Sequence, residues 1–370
     1  MKNILLLSIF LLACYTARST EIVVKNTLDF DRNREMVEVS TNGLNVDFAH
    51  KTYVLKDEKG KEIGYQLVSD KRTLIFQADV PAKSSVTYTL QEGKPAPVAA
   101  RAHVRFVPER SDDISWENDI VAYRMYGPAL MKTEHPSNGV DIWMKYKDEP
   151  VMDSLYAGEL NRKISYHEDT GLGGLDCYDV NHTLGAGGVA PYTTQLWIGD
   201  AFARYEIVES GPLRSVFTLY YDTIPVHGSY YKETLTVTCD AGSPLCKGVV
   251  KFEGAEPVRA ATGIFMDKDS VNTVFDKNNK IIIYTKNATS KKGVPQGQTY
   301  IGVYAPDMVG EPFIENGNYA VLNNYKIGDE LTYYFGAGWS KWKFPAEQDW
   351  LTTLTKFAQM KQNPLKITIK

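Results

Sequence analysis

Hydrophobic and polar residues alternate along most of this chain. Glu21 to Asn26, Met36 to Ser40, Thr52 to Leu55, Thr73 to Gln77 and Val86 to Leu90 each have the period-2 pattern of a half-buried strand. Turn residues separate them at Asp57–Gly60 and Pro81–Ser85, so residues 20–97 read as a small antiparallel β-sandwich. Glu92 to Pro97 has the composition of a linker. Strand patterns continue beyond it at His103–Val107, Val121–Tyr126, Val140–Lys145, Ala203–Val208, Arg214–Tyr221, Tyr231–Thr238, Lys247–Phe252, Lys280–Thr285, Tyr300–Tyr304 and Leu331–Phe335. Strands this frequent, with no helices between them, imply large antiparallel sheets, too many for one immunoglobulin-sized sandwich. The chain is all-β, and residues 98–370 form its larger domain. The one convincing helix is near the end, where Trp350, Leu351, Leu354, Phe357 and Ala358 recur at helical spacing after Pro345.

Residues 1–19 stand apart from this pattern. A lysine precedes an apolar run, Ile4 to Ala13, that is too short to span a bilayer and reads as a signal-peptide core. Leu11-Leu12-Ala13-Cys14 is similar to a bacterial lipobox, which makes Cys14 the expected lipidated residue and the periplasm or outer membrane the expected location. Cleavage after Ala17 or Ser19, without a lipid, is the alternative. The lipid is the only membrane attachment expected. Cys239 and Cys246 either bridge across the turn between them or stay as buried thiols, and Cys177 is read as a buried thiol.

With 43% hydrophobic and 23% charged residues the chain can build a large core, and a net charge of −4 without a basic stripe excludes a nucleic-acid binder. The 23 tyrosines fit β-propensity first and sugar contact second.

One stretch breaks the strand pattern. Ser165 to Tyr192 gathers His167, His182, Tyr166, Tyr178, Asp169, Asp176 and several glycines. Glycine and aspartate are depleted from strands, whereas His, Asp and Tyr move protons or hold metals and sugars. The stretch therefore reads as a loop-borne active site. Its glycines are expected to bring backbone close to a ligand. His167 is the leading base candidate, His182 the second, and Tyr166 and Tyr178 are candidate acids. His167, Asp169, Asp176 and His182 also offer a possible mixed N/O site for a divalent metal. Arg124 shares a strand face with Ala122 and Tyr126. It is either a clamp for an anionic sugar or half of an ion pair with Glu117, Asp119 or Asp141. With Arg124, Tyr126 and Asp141, the residues Trp116, Glu117, Arg214 and His227 make up the candidate substrate-binding set. His50, His103 and His135 are read as structural.

Six ordered segments carry a family resemblance: Val107 to Asp119, Ala122 to Ala129, Gly139 to Trp143, the His167 stretch, Glu209 to Arg214, and Gly336 to Trp342. Together they resemble the domain of unknown function 4861 family of exported proteins from polysaccharide-utilisation loci, a group similar to dehydratases of ulvan-type oligosaccharides. Where the family often carries an acid between the glycines after the Tyr-His pair, this chain reads Gly171-Leu-Gly-Gly174. The resemblance implies a galactose-mutarotase-like supersandwich and β-elimination from a uronate-containing oligosaccharide, as a dehydratase or lyase. That chemistry needs a cation for the carboxylate, a base for the C5 proton and an acid for the leaving oxygen. Arg124 suits the first role, and the histidines and tyrosines the other two. The rivals are a glycoside hydrolase using Asp141, Asp169 and Asp176, an aldose epimerase on the same fold, and a non-catalytic glycan-binding lipoprotein.

Overall fold

The computed structural model describes residues 19–370, so the leader and Cys14 lie outside the described residues. Two sandwiches are present. In the first, a five-stranded sheet (Lys366–Ile369, Ser19–Lys25, Ser85–Glu92, Tyr53–Lys56, Glu62–Ile63, in spatial order) faces a three-stranded sheet (Arg32–Ser40, Thr73–Val80, Tyr65–Leu67). The alternation read in the sequence is the cause. Ile22 and Val24, Val37 and Val39, and Leu74 and Phe76 point into a shared core while their neighbours face outward. The last strand returns from the far end of the chain, with Ile369 opposite Ile22, and closes the edge of this first sandwich.

The second sandwich is larger. An eight-stranded antiparallel sheet runs in the order Arg204–Ser210, Arg214–Val226, Ser229–Asp240, Cys246–Glu253, Leu331–Trp339, Pro295–Tyr304, Ile281–Thr289, Ser270–Asp276. Two smaller sheets lie side by side across one of its faces. The five-stranded one has the order Gly174–Asp176, Asp141–Lys145, Val121–Met125, Asp113–Glu117, His103–Val107. The four-stranded one has the order Ala186–Tyr192, Arg259–Phe265, Asn318–Asn323, Met308–Glu315. Backbone bonds from Val140 N to Leu184 O (3.2 Å) and from Ala186 N to Val140 O (2.8 Å) join the two. One core runs between the layers, with Trp116, Tyr123, Ile142 and Met144 meeting Phe217, Val237 and Phe335. Each such side chain contributes about 1.5–3 kcal/mol by leaving water. This is the two-layer β-supersandwich that the resemblance implies.

Helix α2 (Glu347–Gln362) is the helix expected near the end, and it packs on the outer face of the large sheet through Trp350 and Leu354. A Cβ on Gly302 would stand 2.3 Å from Leu354 Cδ1, which explains glycine there. Trp339 is buried, and its Nε1 donates to Gln296 O at 2.6 Å, so it plugs the sandwich. No described helix is long and apolar enough to cross a membrane.

Helix α1 (Met152–Arg162) departs from the expectation of a single helix. Its apolar set is short, and Gly158 interrupts it. Packing compensates, because Met152, Leu155 and Tyr156 lie against Val107, Ala122 and Trp143 on the outer face of the five-stranded sheet. Glu117 fixes its start by accepting from Val151 N and Met152 N, each at 2.9 Å. The stretch 165–192 also departs from a pure loop, since it supplies Gly174–Asp176 and Ala186–Tyr192 to the two small sheets. Five of its six glycines, all but Gly171, serve protein packing. A Cβ on Gly187 (φ +113°) would meet Phe335 Cβ at 2.4 Å, and one on Gly174 would meet Met144 O at 2.4 Å.

Candidate active site

The site follows from the two-residue repeat of the five-stranded sheet. Ile114, Trp116, Tyr123, Met125, Ile142 and Met144 fill the core face. The alternate residues, Asp113, Glu117, Arg124, Asp141, Trp143, Lys145 and Asp176, must then occupy the outer face. Helix α1 covers one end of that face. There Lys145 Nζ donates to Glu117 Oε2 at 2.6 Å in a fully buried pair. The other end opens into a cleft of about 450 Å³.

Arg124 forms the floor of the cleft and is 4% exposed. It stands opposite Asp141 in the strand register, and its Nε donates to Asp141 Oδ2 at 2.8 Å. Its Nη2 lies 3.3 Å from Asp176 Oδ2, and its Nη1 lies 3.9 Å from Asp113 Oδ2. The rings of Trp143 and Tyr126 cover the guanidinium, with centroids 4.9 Å and 5.0 Å away. One cation thus serves three carboxyls. Burial pushes Asp141 up to about 7, helped by the charge of Asp176, and pushes Asp176 and Asp113 up to about 6. Of the two readings of Arg124, the ion pair with Asp141 describes its contacts.

Tyr166 and His167 lie above this floor. Tyr166 Oη accepts from Arg110 Nε at 3.2 Å and from Arg124 Nη1 at 3.4 Å, which leaves its own O–H as the free donor. Its position is fixed three ways: its ring packs at a tilt against Trp143 (centroids 4.3 Å apart), its N–H donates to Glu159 of α1, and its carbonyl accepts from Asp176 N. The His167 side chain is one-third exposed, with Nδ1 3.4 Å from Asp176 Oδ2. Burial, then the nearby Arg124 charge, lowers its pKa below the usual 6.5, so the ring is neutral at neutral pH.

Arg110 was not among the residues expected here. A short turn, Pro108–Arg110, followed by left-handed Ser111 and Asp112, carries it over the cleft. A Cβ on Gly127 would stand 2.0 Å from Asp112 O, so the Gly127-Pro128 stop also seats this turn. Among the described residues Arg110 has no ion pair, and its only hydrogen bond is the one to Tyr166. It is the cation left available to a ligand.

The other expected residues divide between the cleft and elsewhere. Tyr126, Tyr178 and His182 line the cleft with His167, and so does His135, which was read as structural. His182 sits at the rim, 3.5 Å from Asp200. Tyr178 Oη donates to Phe265 O at 3.0 Å, so its proton is already placed. Trp116 faces the core and stacks on Tyr123. Glu117 holds Lys145 and α1. Arg214 joins the two sandwiches through Asp240 and Glu38. His227 lies on a distant hairpin against Trp197. Trp116, Glu117, Arg214 and His227, and Asp141 buried beneath Arg124, therefore do not line the cleft. Asp169 accepts from Tyr146 Oη at 2.8 Å and does not join the other three candidate metal ligands. No three His, Cys, Asp or Glu side chains converge as a metal site among the described residues. Burial pushes the Cys177 thiol up to about 12, which removes it as a nucleophile. Cys239 and Cys246 are free buried thiols.

A large sheet capped by two smaller ones, with a polar cleft on the outer face of one, defines a β-supersandwich protein. The chain belongs to the family of the domain of unknown function DUF4861, whose model matches residues 24–367. It is 26% identical to an uncharacterized protein P7 of Formosa agariphila, over 94% of this chain and 93% of that one. Among solved structures it is similar to a protein of glycosyl hydrolase family 38 from Enterococcus faecalis (TM-score 0.52, 9% identity, 95% of this chain). An alpha-mannosidase from Enterococcus faecalis V583 also matches (TM-score 0.49, 11% identity, 95% of this chain). The chain spans just under half the length of those two, 47% and 46%.

Proposed function

We propose that this protein is a carbohydrate-active enzyme that acts on uronate-containing oligosaccharides by β-elimination. The observation that carries this reading is the grouping of three groups at one cleft: a neutral imidazole, a phenol with a free O–H, and an unpaired guanidinium. Arg110 binds the uronate carboxylate and withdraws charge from C5, replacing Arg124 in the role first expected of it. His167 takes the C5 proton, and Asp176 holds its Nδ1 so that Nε2 is the nitrogen presented. The C5–H electron pair forms the C4=C5 double bond, the C4–O bond breaks, and Tyr166 protonates the departing oxygen. The leaving group is water in a dehydratase and a sugar hydroxyl in a lyase. No net oxidation or reduction occurs. Residues 1–19 support an exported location for this chemistry, with Cys14 as the lipid anchor.

The test is incubation with uronate oligosaccharides. Ultraviolet absorbance of an unsaturated uronate is expected, with product masses that show no added water. Flat absorbance with added water indicates a hydrolase. Retained binding with neither change indicates a passive glycan-binding module.

A further inference from the structure

The cleft does not end at His167. A second lobe of about 420 Å³ opens beyond Tyr178 and Asp179 and shares His167 and Asp176 with the first. Its far wall is the hairpin between Pro295–Tyr304 and Ile281–Thr289, the part of the eight-stranded sheet that reaches the site. The tip is ordered by its own turn, with Ser290 N bonded to Val294 O at 2.9 Å. It is also latched to the catalytic stretch, because Lys291 N donates to His167 O (3.2 Å) and Lys292 N donates to Glu168 Oε1 (2.7 Å).

Part of the charge in this lobe is left unneutralised. Of its three lysines only Lys286 is ion-paired among the described residues, to Asp267. Lys268, Lys291 and Asp179 are exposed and Asp269 is half-buried, and none of the four has an ion pair among the described residues. Opposite charges that share a cavity yet do not pair suit a ligand that carries both anions and hydroxyl groups. Ammonium groups then hold the anion, and the carboxylates accept from the hydroxyls.

Resting on the uronate reading above, we infer that this lobe is a second subsite, in which Lys268 and Lys291 bind an anionic substituent, carboxylate or sulfate ester, on the sugar next to the one that reacts. The latch fixes Lys291 beside His167, and Lys268 reaches the same lobe from the loop between Arg259–Phe265 and Ser270–Asp276, so both stand next to the chemistry and outside it. The substrate is therefore an oligosaccharide with acidic groups on two neighbouring residues. Discrimination comes from these two lysines and not from the catalytic floor.

The experiment is calorimetric binding to the inactive His167→Ala protein. Three defined oligosaccharides share a terminal uronate and differ in the neighbouring sugar, which is neutral, carboxylated or sulfated. Tighter binding of a charged neighbour is expected, with the better of the two identifying the anion. Lys268→Ala/Lys291→Ala is expected to weaken that binding about five- to tenfold while affinity for the neutral-neighbour ligand is unchanged. Equal affinity for charged and neutral neighbours, or the same loss for both in the lysine variant, overturns the subsite and leaves the uronate reading standing. Failure of all three to bind overturns both.

Discussion

His167 Nδ1 lies 3.4 Å from Asp176 Oδ2, and that carboxylate oxygen lies 3.3 Å from Arg124 Nη2. The proposed base therefore sits against a buried charge cluster, and burial and the arginine disfavour its protonated form.

Activity should accordingly show a low-lying acid limb. A base must be deprotonated, so kcat/KM should rise with pH through the pKa of His167 and level off by neutral pH. Because the pKa is lowered, the midpoint should fall below 6.5. A pH–rate profile on a uronate oligosaccharide checks this, and a limb centred at or above 6.5 contradicts it.

The two arginines should separate by phenotype. Arg124→Gln leaves Asp113, Asp141 and Asp176 buried without their cation and should cost about 3–5 kcal/mol at pH 7. The cost should shrink toward pH 5, where these raised carboxyls are protonated in the folded state. Arg110→Gln loses one hydrogen bond and should change stability by only about 1 kcal/mol while raising KM. Urea unfolding at two pH values, with steady-state kinetics, measures both. Equal destabilisation by the two changes would sink the assignment of roles.

Glu233 supplies a pH dependence remote from the cleft. It is 2% exposed, accepts from Asn138 Nδ2 at 3.1 Å, and burial pushes it up to about 8. A carboxyl raised in the folded state binds its proton more tightly there than when unfolded. Its contribution is thus full below its ordinary value of 4.5 and is lost as pH rises to about 8, by about 1.4 kcal/mol per pH unit. Glu233→Gln should remove this component and make the protein more stable than wild type at pH 8, with no such gain at pH 4. Thermal unfolding at the two pH values decides, and parallel curves would contradict it.

Strand alternation made both sandwiches and the outward face of Arg124 legible in the sequence, because a two-residue period needs no knowledge of partners. His167 and Tyr166 stood out for their residue types in a stretch unlike a core strand. The sequence hid whatever depended on which segments meet. Arg110 reaches Tyr166 across 56 positions through a turn seated against Gly127. Trp116 and Glu117 are adjacent, yet the pleat sends one into the core and the other onto Lys145 and α1. His227 and His182 are alike in type, but only His182 belongs to a segment that the fold brings to the cleft. The glycines suggest backbone close to a ligand, whereas Gly187 and Gly174 make room for Phe335 and Met144 of the protein itself.

The claim that His167 removes the C5 proton is tested most directly with a uronate oligosaccharide deuterated at C5. The account expects a primary isotope effect on kcat/KM for the wild-type protein and an unsaturated product. It also expects turnover to fall about 10²–10⁴-fold in His167→Ala. Turnover that is indifferent to the deuterium and survives His167→Ala would contradict it.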